Sequence, residues 1–225
     1  MAVSGKRCRM SRIALESQLA LKKIDAEKIV ELILADHDLL DPVIQGLSGK
    51  LARVRFGCAK SLMVLSQRRP DVLYAKIGRI LDLLESENQI LKWNAIIMLG
   101  NLASVDREHL IRGVLPKLYG FLSGGKLITA NNTMAALGKI GRAFPEEQGR
   151  ITSQLLKIEH AQFPTDECRN IAIGGSILAM GMFIEPAKAR KEVLEYVQGQ
   201  TGNRRKSTAE KAKLFLQKAQ KTQPV

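Results

Sequence analysis

The sequence predicts an all-α fold, a right-handed α-α superhelix of about five two-helix repeats that follow N-terminal helices. The composition favours helices, because Ala, Leu, Ile, Lys and Glu are plentiful and aromatic residues make up only 4% of the chain. One apolar spacing also recurs five times along the chain, at steps of 37 to 40 residues. Further amphipathic segments lie between its copies, as a two-helix repeat requires.

The recurring spacing places apolar or small residues four, eight and eleven positions after a starting residue, on one face of a helix. The clearest copy starts at Leu91 and continues with Ala95, Leu99 and Leu102. The other copies start at Val54, Thr129, Cys168 and Thr208. The second position of each copy falls at residues 58, 95, 133, 172 and 212, which gives the steps of 37, 38, 39 and 40 residues. A repeat of about 40 residues with two helices is typical of an α-solenoid.

Proline and acidic residues near the starts of segments divide the chain, as in Arg69-Pro70-Asp71 and Phe144-Pro145. We therefore expect a basic N-terminal segment with capping helices over residues 1–37 and repeats over residues 38–219. The predicted repeats are 38–69, 70–105, 106–144, 145–184 and 185–219. Residues 220–225 are expected to form a loose tail.

The second helix of each repeat resembles that of HEAT repeats, a family of armadillo-like α-solenoids. In that family an apolar residue is followed by Arg or Lys, then by a small residue and by Leu-Gly. The matching residues are Val54-Arg55, Leu91-Lys92, Ala95, Leu99-Gly100, Ala136-Leu137-Gly138 and Cys168-Arg169. The resemblance covers roughly residues 38–219 and implies an architecture more than a function, because the family motif is a packing motif.

Positions two, six and nine residues after each start lie opposite the buried face of the helix, and the resemblance implies that they line a concave groove. We expect a protein or peptide segment to bind there. The candidate contacts are Phe56, Lys60, Met63, Trp93, Ile97, Asn131 and Asn170. Alternatively, Trp93 packs over a neighbouring helix or the N-terminal extension, and the two asparagines form hydrogen bonds between repeats.

Arg55, Lys92 and Arg169 recur one position after the start of a copy. We expect them to form a ladder between repeats, in which each pairs with an acid in an adjacent turn. A phosphate-binding stripe is the alternative.

The net charge of +13 is concentrated at the two ends of the chain. Residues 1–24 hold six Lys or Arg and one acid, and residues 186–225 hold ten Lys or Arg and three acids. The ends are therefore candidates for contacts with phosphates or an acidic partner. The residues concerned are Lys6, Arg7, Arg9, Arg204, Arg205 and Lys206. Nucleic-acid binding through these ends is the alternative to a peptide scaffold, and plain solvated charge is the alternative to both.

Catalytic chemistry finds little support in the sequence. The three histidines are scattered, and no HxxxH or CxxC spacing exists, so we expect no metal, no cofactor and no catalytic residues. A DNA alkylation-repair glycosylase, which also uses HEAT-like repeats, would need a carboxylate near the bound sugar. Glu210 is the only carboxylate at the predicted groove positions, in the last repeat, and the middle of the chain is nearly neutral.

Cysteine usage and hydropathy bear on the compartment. The chain has three cysteines at wide spacing, which form no disulfide framework and favour a reducing compartment. No run approaches the roughly 20 apolar residues that span a bilayer, and no apolar run follows the basic N-terminus, so a signal peptide is not expected. We therefore expect a cytoplasmic protein that does not bind membranes. Its oligomeric state stays open.

Overall fold

The computed structural model describes residues 2–185 and 190–221, with the side chains of residues 11–185 and 190–220. Every regular element in these described ranges is a helix. They divide into two compact units, residues 1–105 and residues 106–225. No helix in the described ranges combines the length and the apolarity needed to cross a membrane.

The first unit contains seven α-helices within its described residues. They are α1 (Ala2–Ala20), α2 (Ala26–Ala35), α3 (Leu40–Gly46), α4 (Ala52–Arg68), α5 (Pro70–Tyr74), α6 (Ile77–Asp82) and α7 (Gln89–Leu102). Short 3-10 turns lie at His37–Leu39, Leu83–Glu85 and Ala103–Val105. Helix α4 is central, because it packs against α2, α3, α5 and α7. A hydrogen bond from Asn101 Nδ2 to Ser66 Oγ, 2.8 Å long, joins α7 to α4.

The N-terminal helices are held to this unit by backbone groups. Arg53, in the first turn of α4, donates to the carbonyl oxygens of Leu19 at 2.9 Å and Leu21 at 2.8 Å. Leu19 lies in the last turn of α1 and Leu21 directly follows it, where intrahelical donors run out. Asp25 caps α2 by accepting from the backbone N–H groups of Glu27 and Lys28.

The second unit also contains seven described α-helices. They are α8 (Leu110–Gly113), α9 (Leu115–Gly120), α10 (Leu127–Ala143), α11 (Gln148–Leu156), α12 (Asp166–Met180), α13 (Lys191–Gly199) and α14 (Lys206–Lys221). Further 3-10 turns lie at Pro145–Glu147, Lys157–His160 and Gln200–Gly202. The long helices pack in chain order, α10 on α12 and α12 on α14, with α11 beside the first pair and α13 beside α14.

The residue four positions after the start of each copy lies near the middle of a long helix. These five residues have no exposed surface. They are Cys58, Ala95, Thr133, Ala172 and Ala212. Small side chains here let the long helices approach the elements packed on them. The periodicity thus identifies the buried face in both units.

Two amphipathic segments that read as single helices are each broken in the structure. Residues 70–85 form α5 and α6, and residues 110–120 form α8 and α9. At the C-terminus, α14 continues to Lys221, so the first two residues of the predicted tail are helical and residues 222–225 lie outside the described residues. The exact limits of the five repeats stay a prediction.

Candidate functional site

Five of the seven predicted groove residues lie on two adjacent helices of the first unit. Phe56, Lys60 and Met63 are on α4, and Trp93 and Ile97 are on α7. We call these five residues the α4/α7 strip. Lys60 is exposed and the other four are half-buried. The strip therefore presents apolar side chains, including the chain's only tryptophan, at a partly open surface.

Arg55 fixes the surroundings of Phe56. Its guanidinium donates to the carbonyl oxygens of Gly49 at 2.8 Å and Lys50 at 2.9 Å. The same guanidinium carbon lies 5.7 Å from the centroid of the Phe56 ring, within the range of a cation–π contact. The expectation that Arg55 pairs with an acid is wrong, since it satisfies carbonyls of the loop between α3 and α4 instead.

Arg169 does pair with an acid, but not between repeats. Its guanidinium binds the Asp166 carboxylate three residues earlier on the same helix. The predicted ladder between repeats is therefore wrong for Arg169 as well, because the acid lies one turn back on α12 itself.

Lys60 also lines a cleft of about 750 Å³ between α4 and the segment that joins α1 to α2. Ile24, Asp25 and Val64 are among the other lining residues. Two charged residues of this cleft have ionic partners close by. Arg68 lies 3.0 Å from Glu27, and Lys28 lies 3.0 Å from Glu31. The cleft is thus mixed in charge, and Lys60 connects it to the apolar strip.

The two asparagines lie in the second unit and differ in their surroundings. Asn131 on α10 has a buried Oδ1 that lies against Gly175 of α12, and among the described residues no group donates to it. Asn170 on α12 accepts a hydrogen bond from Asn203 Nδ2 at 3.1 Å, and its backbone carbonyl accepts one from Thr208 Oγ1 at 2.8 Å. Asn170 therefore makes the hydrogen bonds between repeats that the alternative interpretation describes.

The predicted groove position nine residues after each start is buried in most of the long helices. Gly100, Gly138 and Ile177 are buried, and of this column in the first four copies only Met63 reaches the surface. Gly138 lies under Ala179 and Met182, which cover the place where a side chain would stand. The expectation that this position lines an open surface is wrong for these three residues.

The predicted basic contacts are placed as follows. Arg204 and Lys206 are exposed, whereas Arg205 is half-buried and pairs with Glu167 of α12. The backbone N–H of Arg205 donates to Asn203 Oδ1 at 2.9 Å, so this residue holds the start of α14. Lys6, Arg7 and Arg9 belong to α1, but their side chains lie outside the described ones.

One surface feature was not selected from the sequence. Between α12 and α14 lies a cleft of about 260 Å³, which we call the α12/α14 cleft. It is lined by Ile177, Leu178, Gly181, Lys211, Leu214, Phe215 and Lys218. Leu214 lies six residues after the start of its copy, which is one of the predicted groove positions, so the spacing alone could have selected it. Leu178 lies at none of the predicted groove positions, so the spacing did not predict its exposure.

Reactive side chains are constrained by burial. Burial raises the pKa of the Cys58 thiol to about 11, so it stays protonated at neutral pH. The buried Glu147 carboxylate lies 2.6 Å from Arg112 Nε and 3.6 Å from Arg150 Nη1. Within the described part of the chain, no group of three or more His, Cys, Asp or Glu side chains could hold a metal ion.

Comparison with known proteins gives the fold but no relative by sequence. No protein-family model and no curated protein matches the chain. A designed armadillo repeat protein, YIII(Dq.V1)4CPAF, whose structure is described as a complex with the peptide (KR)4, matches with a TM-score of 0.65 at 17% identity over 92% of each chain. Computationally designed armadillo repeat proteins for modular peptide recognition match with a TM-score of 0.62 at 17% identity, over 91% of this chain and 90% of theirs.

An engineered protein matches with a TM-score of 0.61 at 16% identity, over 92% of this chain and 97% of its own. The fold is an armadillo-like α-solenoid. The predicted all-α solenoid and its resemblance to armadillo and HEAT repeats are therefore confirmed.

An armadillo-like solenoid explains why α7 is apolar on nearly every side. Each repeat of such a fold contacts its neighbours, so its second helix is covered on several faces. Within α7, Leu91, Ile96, Met98 and Leu99 point in different directions around the helix and all four are buried. Trp93 and Ile97 lie on the remaining, less covered side.

Proposed function

We propose that this protein is a non-catalytic scaffold or adaptor that binds a protein or peptide segment along the α4/α7 strip. The observation that carries the proposal is the partly open position of Trp93, Phe56, Met63 and Ile97 on two packed helices. The armadillo-like fold supports it, since one structure with this fold holds a peptide.

The chemistry of the strip suits a short segment with apolar anchors. Tryptophan is enriched at the energetic centres of protein interfaces, because its large apolar surface is lost from water on binding. A partly open strip that includes Trp93 can receive one or two apolar side chains, and the exposed Lys60 can pair with a carboxylate. Asn131, in the second unit, is half-buried and is proposed as a separate polar contact, although its Oδ1 is buried against Gly175 and lies out of a ligand's reach.

The test begins with peptides selected from a random display library on the intact protein. Replacing Trp93→Ala is expected to weaken their binding about tenfold or more, since truncation of an aromatic anchor costs about 2 kcal/mol. Trp93→Phe should retain most of the affinity, because an aromatic ring still fills the position. Phe163→Ala, at a half-buried aromatic residue of the second unit, is the matched control.

Dissociation constants are measured by fluorescence polarisation, and far-UV circular dichroism checks that each variant keeps its helices. Equal affinities for the Trp93→Ala variant and the natural chain would contradict the proposed site. A selection that yields no binding peptide would contradict the proposed function.

A second candidate function is phosphate binding by the basic ends of the chain. The exposed positions of Arg204 and Lys206 at the start of α14 favour it. Arg205 is a weaker candidate, because its guanidinium already holds Glu167. We place either function in the cytoplasm, where the three widely spaced cysteines would stay reduced.

A further inference from the structure

The α12/α14 cleft combines a buried apolar floor with exposed apolar walls. Ile177 and Phe215 form the floor and are only 2% and 5% exposed. Leu178 and Leu214 stand on opposite walls and are 54% and 57% exposed. Leucines exposed to this degree on both sides of one cleft leave apolar surface in water, and a ligand side chain between them would remove it.

Gly181 opens one end of the cleft. A methyl group at this residue would stand 3.7 Å from the Phe215 ring, in ordinary van der Waals contact with it. The volume of about 260 Å³ suits one large side chain with its neighbouring backbone.

Two lysines give the cleft its charge. Lys211 and Lys218 line it, and no acidic residue is among its described lining residues. Lys211 Nζ lies 3.2 Å from the place where a methyl group on Gly174 would stand, so its charge lies against α12. At 1.5 Å per residue, seven residues separate the two lysines by roughly 10 Å along α14. Residues 204–221 hold seven Lys or Arg and a single Glu, so the field around the cleft is positive.

We infer that the α12/α14 cleft binds an acidic peptide segment that carries a large apolar residue between carboxylates. The apolar side chain enters between Leu178 and Leu214, and the carboxylates meet Lys211 and Lys218. Since an extended chain advances about 3.3 Å per residue, carboxylates about three residues apart match the spacing of the lysines. The inference rests on the proposed function as a peptide scaffold and names the chemistry of one ligand segment.

The experiment uses random 12-residue peptides displayed and selected on the intact protein near physiological ionic strength. One group of enriched peptides is expected to place Asp or Glu within three positions of a Leu, Ile, Met or Phe. Their dissociation constants should rise at least about tenfold in Leu214→Ser and in Lys211→Glu, since one change removes apolar contact and the other reverses the paired charge.

Two variants serve as matched controls. Leu51→Ser alters a leucine of the first unit that is also 57% exposed. Lys213→Glu makes the same charge change on α14 at an exposed residue outside the cleft. Both are expected to leave the affinity for the enriched peptides within about twofold of the natural chain, because neither side chain borders the cleft.

The outcomes separate this inference from the function on which it rests. If every enriched peptide loses affinity in Trp93→Ala and none does in Leu214→Ser, the scaffold function stands and the inference is overturned. An enriched set that contains no acidic peptide, or equal losses in Lys211→Glu and Lys213→Glu, would overturn it as well. A 20-base-pair DNA duplex that binds the natural chain and loses affinity in Lys211→Glu, with no acidic peptide enriched, would assign the lysines to phosphates instead.

Discussion

Cys58 shows how one buried residue connects the repeat to the stability of the first unit. It occupies the second position of its copy, at the middle of α4, and has no exposed surface. Its burial raises the pKa of the thiol from 9.0 to about 11, because the interior disfavours the thiolate. The folded chain therefore binds this proton more tightly than the unfolded chain does.

This difference predicts a loss of stability at high pH. Below about pH 9 the thiol is protonated in both states and contributes no pH dependence. Between pH 9 and 11 the unfolded chain releases the proton first, so the free energy of unfolding should fall as the pH rises. Urea denaturation at pH 8, 9 and 10 should show a steeper fall for the natural chain than for Cys58→Ala. Parallel curves for the two proteins would contradict the expected role of the thiol.

The sequence predicted which residues lie on the buried side of a helix, but it did not predict which residues pair with one another. A spacing of four, eight and eleven residues defines the buried side of a helix, and the fully buried Cys58, Ala95 and Ala212 follow it. The pair of Arg205 with Glu167 joins residues 38 positions apart. Such a contact depends on how the end of α13 leads into α14, which no local pattern encodes.

At the scale of elements, the break between α8 and α9 has a physical cause in the sequence. Pro116 lacks an N–H group and its ring would collide with the carbonyl four residues earlier. The chain turns at Val114, whose N–H instead bonds to the carbonyls of Ile111 and Arg112. The amphipathic pattern continues across this break, because both short helices still bury one face. Periodicity alone therefore merges two helices that proline separates.

Close packing of α10 against the end of α12 depends on Gly138. A methyl group there would stand 3.0 Å from the Ala179 carbonyl oxygen and 2.6 Å from Met182 Sδ. The missing side chain of Gly138 therefore lets α10 and the end of α12 approach. We expect Gly138→Ala to lower the free energy of unfolding by about 1–3 kcal/mol, as overpacking does.

Gly78 on α6 is the matched control, because nothing lies within 4 Å of a methyl group there. Gly78→Ala should stabilise the chain by a few tenths up to about 1 kcal/mol through helix propensity. Urea denaturation followed by far-UV circular dichroism measures both variants. A Gly138→Ala variant as stable as the natural chain would show that α12 yields easily and is not closely packed on α10.

At the scale of the whole molecule, the armadillo-like solenoid was predictable because its repeats are local. Each repeat of such a fold must bury one face against the next, so apolar residues recur in the sequence with a period of about 40 residues. The repeating pattern does not indicate the function. The residues that define the motif are those that pack, and surface residues such as Leu178 carry no repeating signal. The spacing identified Trp93, but it did not identify the cleft between α12 and α14.

The net charge of +13 leads to a prediction about salt. If Arg204 and Lys206 contact phosphates, a 20-base-pair DNA duplex should bind the intact protein with an affinity that falls steeply with salt. The double change Arg204→Glu with Lys206→Glu should lower the slope of log affinity against log salt by about 2. Fluorescence polarisation between about 0.05 and 0.3 M salt measures it.

The control is a second double change, Lys126→Glu with Lys157→Glu, at exposed lysines elsewhere in the second unit. It makes the same change in net charge. Equal slopes for the two double variants would mean that the duplex responds to overall charge and not to a site at the start of α14. The second candidate function would then lose its support.

The most direct test of the central claim uses Trp93 itself. It is the chain's only tryptophan, so the fluorescence of the intact protein reports on the α4/α7 strip alone. Adding the tightest selected peptide that binds the Leu214→Ser variant as strongly as the natural chain, and so does not use the α12/α14 cleft, should shift the emission to shorter wavelength in a saturable way and protect Trp93 from acrylamide quenching. If calorimetry shows that the peptide binds while the emission and the quenching stay unchanged, the ligand lies elsewhere and the proposed site is wrong.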